Sequence, residues 1–254
     1  MTRRIAYALG LPLLLVAGWY VLSDGSDSFY APPLRRILAA FADTWTPDRL
    51  RADVLPSVLR LGAGYTLAAA AGIALGVAVG LHRRWRAVLE PVLEFLRAVP
   101  PPVLVPVIML FAGIGNGMKV LVIVSGCVWP VLLNTVEGVR AVDAVQLDTA
   151  RAYGIDGPHR IARVVLPAAS PQIAAGLRQA LSLGIILMVI SEMFAASNGL
   201  GFTIVQFQRS FAIPEMWSGT LLLGLLGVAL SLLFRLAERR ALGWYHGLRA
   251  AQRR

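Results

Sequence analysis

Residues 137–171 read EGVRAVDAVQLDTARAYGIDGPHRIARVVLPAASP, a polar, arginine-bearing stretch set between two long apolar runs. Within it Val139, Val142, Val145, Ala150 and Tyr153 recur at threes and fours. That spacing predicts a helix ending at Gly154, a residue suited to a left-handed C-terminal cap. Ile161, Val164 and Val165 predict a second short helix, with Arg160 and Arg163 on its polar side and Pro167 closing it. A connection of this length with its own helices has the character of a functional element rather than a tether.

The runs on either side decide the class. The 254 residues are 57% hydrophobic and only 15% charged, with a mean hydropathy of +0.68, which does not describe a water-facing surface. A spanning helix needs roughly 20 mostly apolar residues, because nothing inside the bilayer satisfies a free backbone amide. Six segments are assigned as spans: residues 5–22, 57–81, 100–112, 118–136, 171–194 and 217–236. The first is read as uncleaved, since Ser23-Asp24-Gly25-Ser26-Asp27-Ser28 offers no small-x-small cleavage pattern.

Residues 29–56, opened by Pro32-Pro33, are amphipathic and belong on the external surface. Gly62, Gly64, Gly72, Gly76 and Gly80 line the second span, where small residues let helix backbones approach closely in lipid. His82-Arg83-Arg84-Trp85-Arg86 forms a cationic stop. Beyond it an interfacial helix to about residue 98 carries Glu90, Glu94 and Arg97 as an ion network, and Pro100-Pro101-Pro102 opens the third span, because proline is tolerated in a helix's first turn.

Charge placement orients the chain. The formal net charge is +10. With both termini cytoplasmic, inside segments hold Arg3, Arg4, Arg83, Arg84, Arg86, Arg140, Arg151, Arg160, Arg163 and the basic residues from Arg235 onward. Outside segments hold Arg35, Arg36, Arg49, Arg51, Lys119 and Arg209. The inside excess follows the positive-inside rule and accounts for the basic balance through loops and lipid headgroups, with no nucleic acid partner. Cys127 is the only cysteine, so an intramolecular disulfide and a cysteine-built metal site are excluded. His82, His159 and His246 lie too far apart in sequence to suggest a cluster, and no cofactor or metal is expected.

Asp148-Thr149-Ala150, three residues, Gly154, nine residues, Val164, one residue and Leu166-Pro167 resemble the EAA signature, E-A-A-x3-G-x9-I-x-L-P, of binding-protein-dependent ABC importer permeases. Asp148, Thr149 and Val164 replace Glu, Ala and Ile, and the shorter Asp148 alters the reach of its contact with a partner. Leu104-Val105-Pro106 through Phe111-Ala112-Gly113-Ile114-Gly115, and Ser191-Glu192-Met193 followed by Gly199-Leu200-Gly201-Phe202, resemble the sulfonate, taurine and nitrate branch. The resemblance runs from about residue 57 to 236.

It implies an all-α integral membrane protein of the ABC type I importer permease fold, with six transmembrane helices, both termini cytoplasmic and a cytoplasmic coupling helix. The domains are then 1–56, first span and external connection; 57–240, permease transmembrane domain; and 241–254, basic cytoplasmic tail. The implied partners are an ABC ATP-binding subunit docked on the 148–167 loop, an external solute-binding protein, and a second permease copy as a homodimer in the lipid bilayer.

No Walker-type G-x-x-x-x-G-K-[ST] occurs, so ATP hydrolysis is expected on another subunit. Glu192, with Ser191 beside it, is an ionisable group near the outer end of the fifth span. It either lines the pathway or holds helices together, the structural role being favoured because a carboxylate repels an anionic solute. A passive channel or scaffold has no need of the helix-glycine-helix loop. An intramembrane serine hydrolase lacks a histidine on any span to activate Ser125 or Ser218.

Overall fold

The computed structural model describes residues 2–26, 28–82, 88, 91–92, 95–96, 98–245 and 247. Among these there is helix and no strand. The elements are α1 (Thr2–Ser23), α2 (Leu34–Thr44), α3 (Pro47–Leu81), α4 (Pro101–Ala112), α5 (Asn116–Arg140), α6 (Ala144–Ala152), α7 (Gly157–Phe194), α8 (Leu200–Arg209) and α9 (Ile213–Ala241). Helices α3, α5, α7 and α9 are long and apolar enough to cross a membrane.

The predicted spans at 57–81 and 171–194 prove to be parts of longer helices that begin at Pro47 and Gly157. Each passes through one π-turn, Leu50–Val54 and Ile161–Val165, where Leu55 and Leu166 donate their N–H five residues back. A Leu-Pro pair follows each turn, Leu55-Pro56 and Leu166-Pro167. Proline has no N–H and its ring presses on the carbonyl four residues earlier, and the wider turn relieves that crowding. Pro167 therefore does not close a short helix, as its sequence position suggests, but sits inside a continuous one.

The predicted third span is α4, which begins as a 3-10 turn at Pro101–Val103 and ends at Gly113, φ +71°. At 1.5 Å per residue it rises about 18 Å, short of the ~30 Å hydrocarbon core. The expected Glu90, Glu94 and Arg97 network, the cationic stop at 83–86 and most of the basic tail lie outside the described residues.

The chain divides into two compact units, residues 1–56 with 197–225 and residues 57–196 with 226–254. In the first, the amphipathic α2 buries Leu34, Ile37 and Ala40. Trp45 Nε1 donates to Ser218 Oγ at 3.1 Å, and Arg49 lies over the Phe207 ring at 5.0 Å. Asp53 Oδ1 accepts from the Gly199 N–H at 3.5 Å.

In the second unit α5 is flanked by α3 and α7. A Cβ added at Gly64, Gly72, Gly76 or Gly80 would stand 2.7, 2.8, 2.6 and 2.9 Å from the Cβ of Ile123, Val131, Thr135 and Val139. Both series ascend together, so α3 and α5 run parallel, their backbones brought close because one side lacks side chains. Gly62, expected to share this role, has nothing near it. Against α7 the order reverses: Gly138 meets Ala169, Gly176 meets Pro130, and Gly184 meets Cys127. Gly227 near Ile185 and the Arg178–Glu238 ion pair set α9 antiparallel to α7 as well. Helices α3, α5 and α9 therefore point one way and α7 the other.

Candidate functional site

Two features lie at opposite ends of α7. At one end α5 stops at Arg140, and Asp143 opens α6 by accepting the Val145 N–H at 2.8 Å. Val139 and Val142 thus lie outside the loop helix, which starts only at Ala144. After Ala152 the Gly154 N–H bonds to Arg151 O at 3.0 Å and the Ile155 N–H to Ala150 O at 2.8 Å. This is a Schellman closure, and Gly154 adopts the positive φ it requires, +69°. Gly157, φ +55°, then turns the chain into α7.

The loop folds back on the start of α7, enclosing a groove of about 480 Å³. Thr149, Ala150, Val164 and Pro167 line it together with Trp244 from beyond α9. Leu166 instead packs with Val139, Val165, Ala169 and Ile173, and Asp148 is exposed in an ion pair with Arg151 at 2.6 Å. Tyr153 and Val145 project outward, 79% and 70% exposed. The structure thus gathers most of the signature residues around one surface, leaving Gly154 as the turn behind it.

At the other end, roughly 28 residues or about 42 Å beyond Val164 along α7, Glu192 is 1% exposed. Arg60 Nη1 donates to Glu192 Oε1 at 2.7 Å, and Ser57 Oγ lies 2.8 and 2.9 Å from its two oxygens. Arg60 Nε reaches Asn116 Oδ1 at 2.9 Å. Lys119, counted from sequence among the external loop cations, is instead in the first turn of α5 and buried. Its Nζ donates to Ile114 O at 3.2 Å and Gly115 O at 3.4 Å. Ser191 Oγ instead donates back to Met188 O at 2.8 Å, within its own helix. One helix turn separates Ser57 from Arg60, so both side chains share a face of α3. An arginine and a glutamate in different apolar spans were the available signal, but nothing local paired them.

Residues 69–242 match the family described as binding-protein-dependent transport system inner membrane component. The chain belongs to this family. It is accordingly a multi-pass protein of the bacterial plasma membrane and a transporter permease subunit rather than an enzyme. It is 29% identical over 95% of its length to SsuC of Bacillus subtilis, named for aliphatic sulfonates transport, with 89% of that protein covered. The taurine transport system permease protein TauC of Escherichia coli is 28% identical over 96% of the chain and 92% of its own. The bicarbonate transport system permease protein CmpB of Synechococcus elongatus is 29% identical over 87% and 84%. Among solved structures, a chain of the inward-facing MetNI methionine ABC transporter shares the fold, with a TM-score of 0.57 at 16% identity, 82% of this chain and 95% of that one aligned.

Proposed function

We propose that this permease subunit carries a small oxyanion of the sulfonate, taurine, nitrate or bicarbonate kind across the plasma membrane, driven by a separate ABC ATP-binding subunit docked on α6. The observation that carries the reading is α6 itself, an exposed helix closed by a left-handed Gly154 and braced against the base of α7. A chain without its own ATP site receives each power stroke through a physical contact, and a rigidly capped helix transmits displacement to the long α7 behind it. Asp148, Thr149, Ala150, Gly154, Val164, Leu166 and Pro167 form the coupling element. The similarity to SsuC, TauC and CmpB, named for sulfonate, taurine and bicarbonate transport, supports the solute class.

In this reading six spans place both termini in the cytoplasm, α1 and α4 supplying the two beyond α3, α5, α7 and α9. Two copies surround the route as a closed twofold pair, and an external binding protein delivers the solute. Residues 57–240 form the transmembrane domain. Glu192 holds helices together rather than touching the solute, since it is already engaged by Arg60 and Ser57.

The test is Gly154→Val in the assembled transporter. Nothing lies within 4 Å of the position, so the whole penalty is backbone strain, about 1–3 kcal/mol for a β-branched residue at this φ. Normal insertion with weakened ATPase binding, or hydrolysis uncoupled from uptake, is the expected result. Wild-type uptake with wild-type ATPase association would refute the coupling assignment.

A further inference from the structure

Outward-facing side chains of the spans differ sharply between helices. On α3 the large exposed residues include Leu55, Leu59, Leu67 and Leu75, and on α9 they include Leu225, Val228, Leu232, Leu233 and Leu236, surfaces made for lipid tails. Helix α7 exposes Ile186, Met193 and Phe194 toward its far end, but before them its exposed positions include Gln172, Gln179 and Ser182, seven and three residues apart and therefore along one stripe. Asn134 of α5 joins them: Gln172 Nε2 donates to Asn134 Oδ1 at 3.0 Å, and Asn134 Nδ2 donates to Gln179 Oε1 at 3.4 Å.

The polarity of this amide chain is set by the backbone. Asn134 Nδ2 also donates to Pro130 O at 2.8 Å, and a carbonyl can only accept, so the Asn134 oxygen must be the end that receives Gln172. Gln179 must then present its oxygen to Asn134. That leaves the hydrogens of Gln179 Nε2 with no acceptor among the described residues. An uncharged donor is thus held about 10 Å deeper into the span than Gln172, on a face that no described element covers. Exposed amides at this depth are expensive against hydrocarbon and are found where a span meets water or a polar partner.

We infer that the stripe of Asn134, Gln172 and Gln179 lines the aqueous route of the solute, with Gln179 Nε2 as a hydrogen-bond donor to a passing oxyanion. The inference rests on the importer reading above. A ladder of neutral donors suits transit, because a conduction site must bind well enough to admit a solute and weakly enough to release it. Charge is kept away from it: Arg178, next in sequence, is engaged by Glu238 of α9.

The experiment uses the complete transporter in proteoliposomes, in a Cys127→Ala background that removes this chain's only thiol, with labelling read on this subunit. Gln179→Cys should react with a small anionic methanethiosulfonate at least tenfold faster than the lipid-facing control Val228→Cys. With radiolabelled taurine and bicarbonate as probes, Gln179→Leu should lower uptake at least tenfold while ATPase association is unchanged, and Gln179→Asn should restore part of it. Equal labelling of the two cysteines would overturn the inference. So would wild-type uptake by Gln179→Leu, or spontaneous crosslinking of two Gln179→Cys copies without reagent access, which would make the stripe a subunit seam. If unmodified vesicles import neither probe yet Gln179→Cys still labels fast, the watery face stands and the solute class proposed above fails.

Discussion

Removing the carboxylate of Glu192 leaves the Arg60 guanidinium, 6% exposed, without the anion it meets at 2.7 Å. The hydrogen bond from Arg60 Nε to Asn116 Oδ1, at 2.9 Å, stays. Breaking one side of a buried ion pair destabilises by about 3–5 kcal/mol, chiefly because the surviving charge is stranded in low dielectric. For a chain of this size each kcal/mol lowers Tm by roughly 2–4 °C, so Glu192→Ala should lose roughly 6–20 °C.

The protein carries its own reporter for this measurement. Cys127 is fully buried and its Sγ donates to Ala180 O, so a maleimide fluorophore added in detergent brightens only as the bundle opens. Replacing both partners, Arg60→Met with Glu192→Leu, removes the stranded charge and should recover most of the loss, since apolar pairs of similar volume commonly equal a buried ion pair. A Tm within 2 °C of wild type for Glu192→Ala, or a double variant no better than the single, would refute the reasoning.

The same substitution should act with opposite sign at two glycines of α3. Gly76→Ala puts a Cβ 2.6 Å from Thr135 Cβ and 2.9 Å from Leu132 O, and should destabilise by about 1–3 kcal/mol in the thiol assay; Gly62→Ala meets nothing and should gain up to about 1 kcal/mol from helix propensity. Asp143→Ala removes the acceptor of the Val145 N–H and should loosen α6 by about 0.5–2 kcal/mol, read as faster amide exchange over 144–152 with the spans unchanged. In a Cys127→Ala background, an impermeant thiol reagent added outside intact cells should label Ser26→Cys and spare Tyr153→Cys; the reverse pattern would invert the proposed topology.

Local information sufficed for much of this protein. Apolar runs longer than a bilayer, arginines grouped on alternate loops, and a glycine at the end of a helical period are properties of neighbouring residues. They led to the membrane class, to α3, α5, α7 and α9, and to the positive φ at Gly154. The boundaries were less legible. Pro167 looks like a helix stop in sequence, yet a π-turn at Ile161–Val165 carries α7 through it, because hydrogen bonding five residues back makes room that a residue count cannot reveal. Lys119 looks like a loop cation until backbone carbonyls of the preceding turn fold around its ammonium.

What tertiary structure alone decided is partnership. Arg60 and Glu192 are 132 residues apart, and Asn134 lies 38 from Gln172 and 45 from Gln179. The glycines of α3 announce that something approaches closely, but only the parallel register with α5 matches Gly76 to Thr135 and Gly80 to Val139. In a bilayer, hydropathy drives every span out of water equally and so carries no information about which helix meets which. That choice falls to shape and to hydrogen bonds at contact distance, which exist only once the helices are side by side.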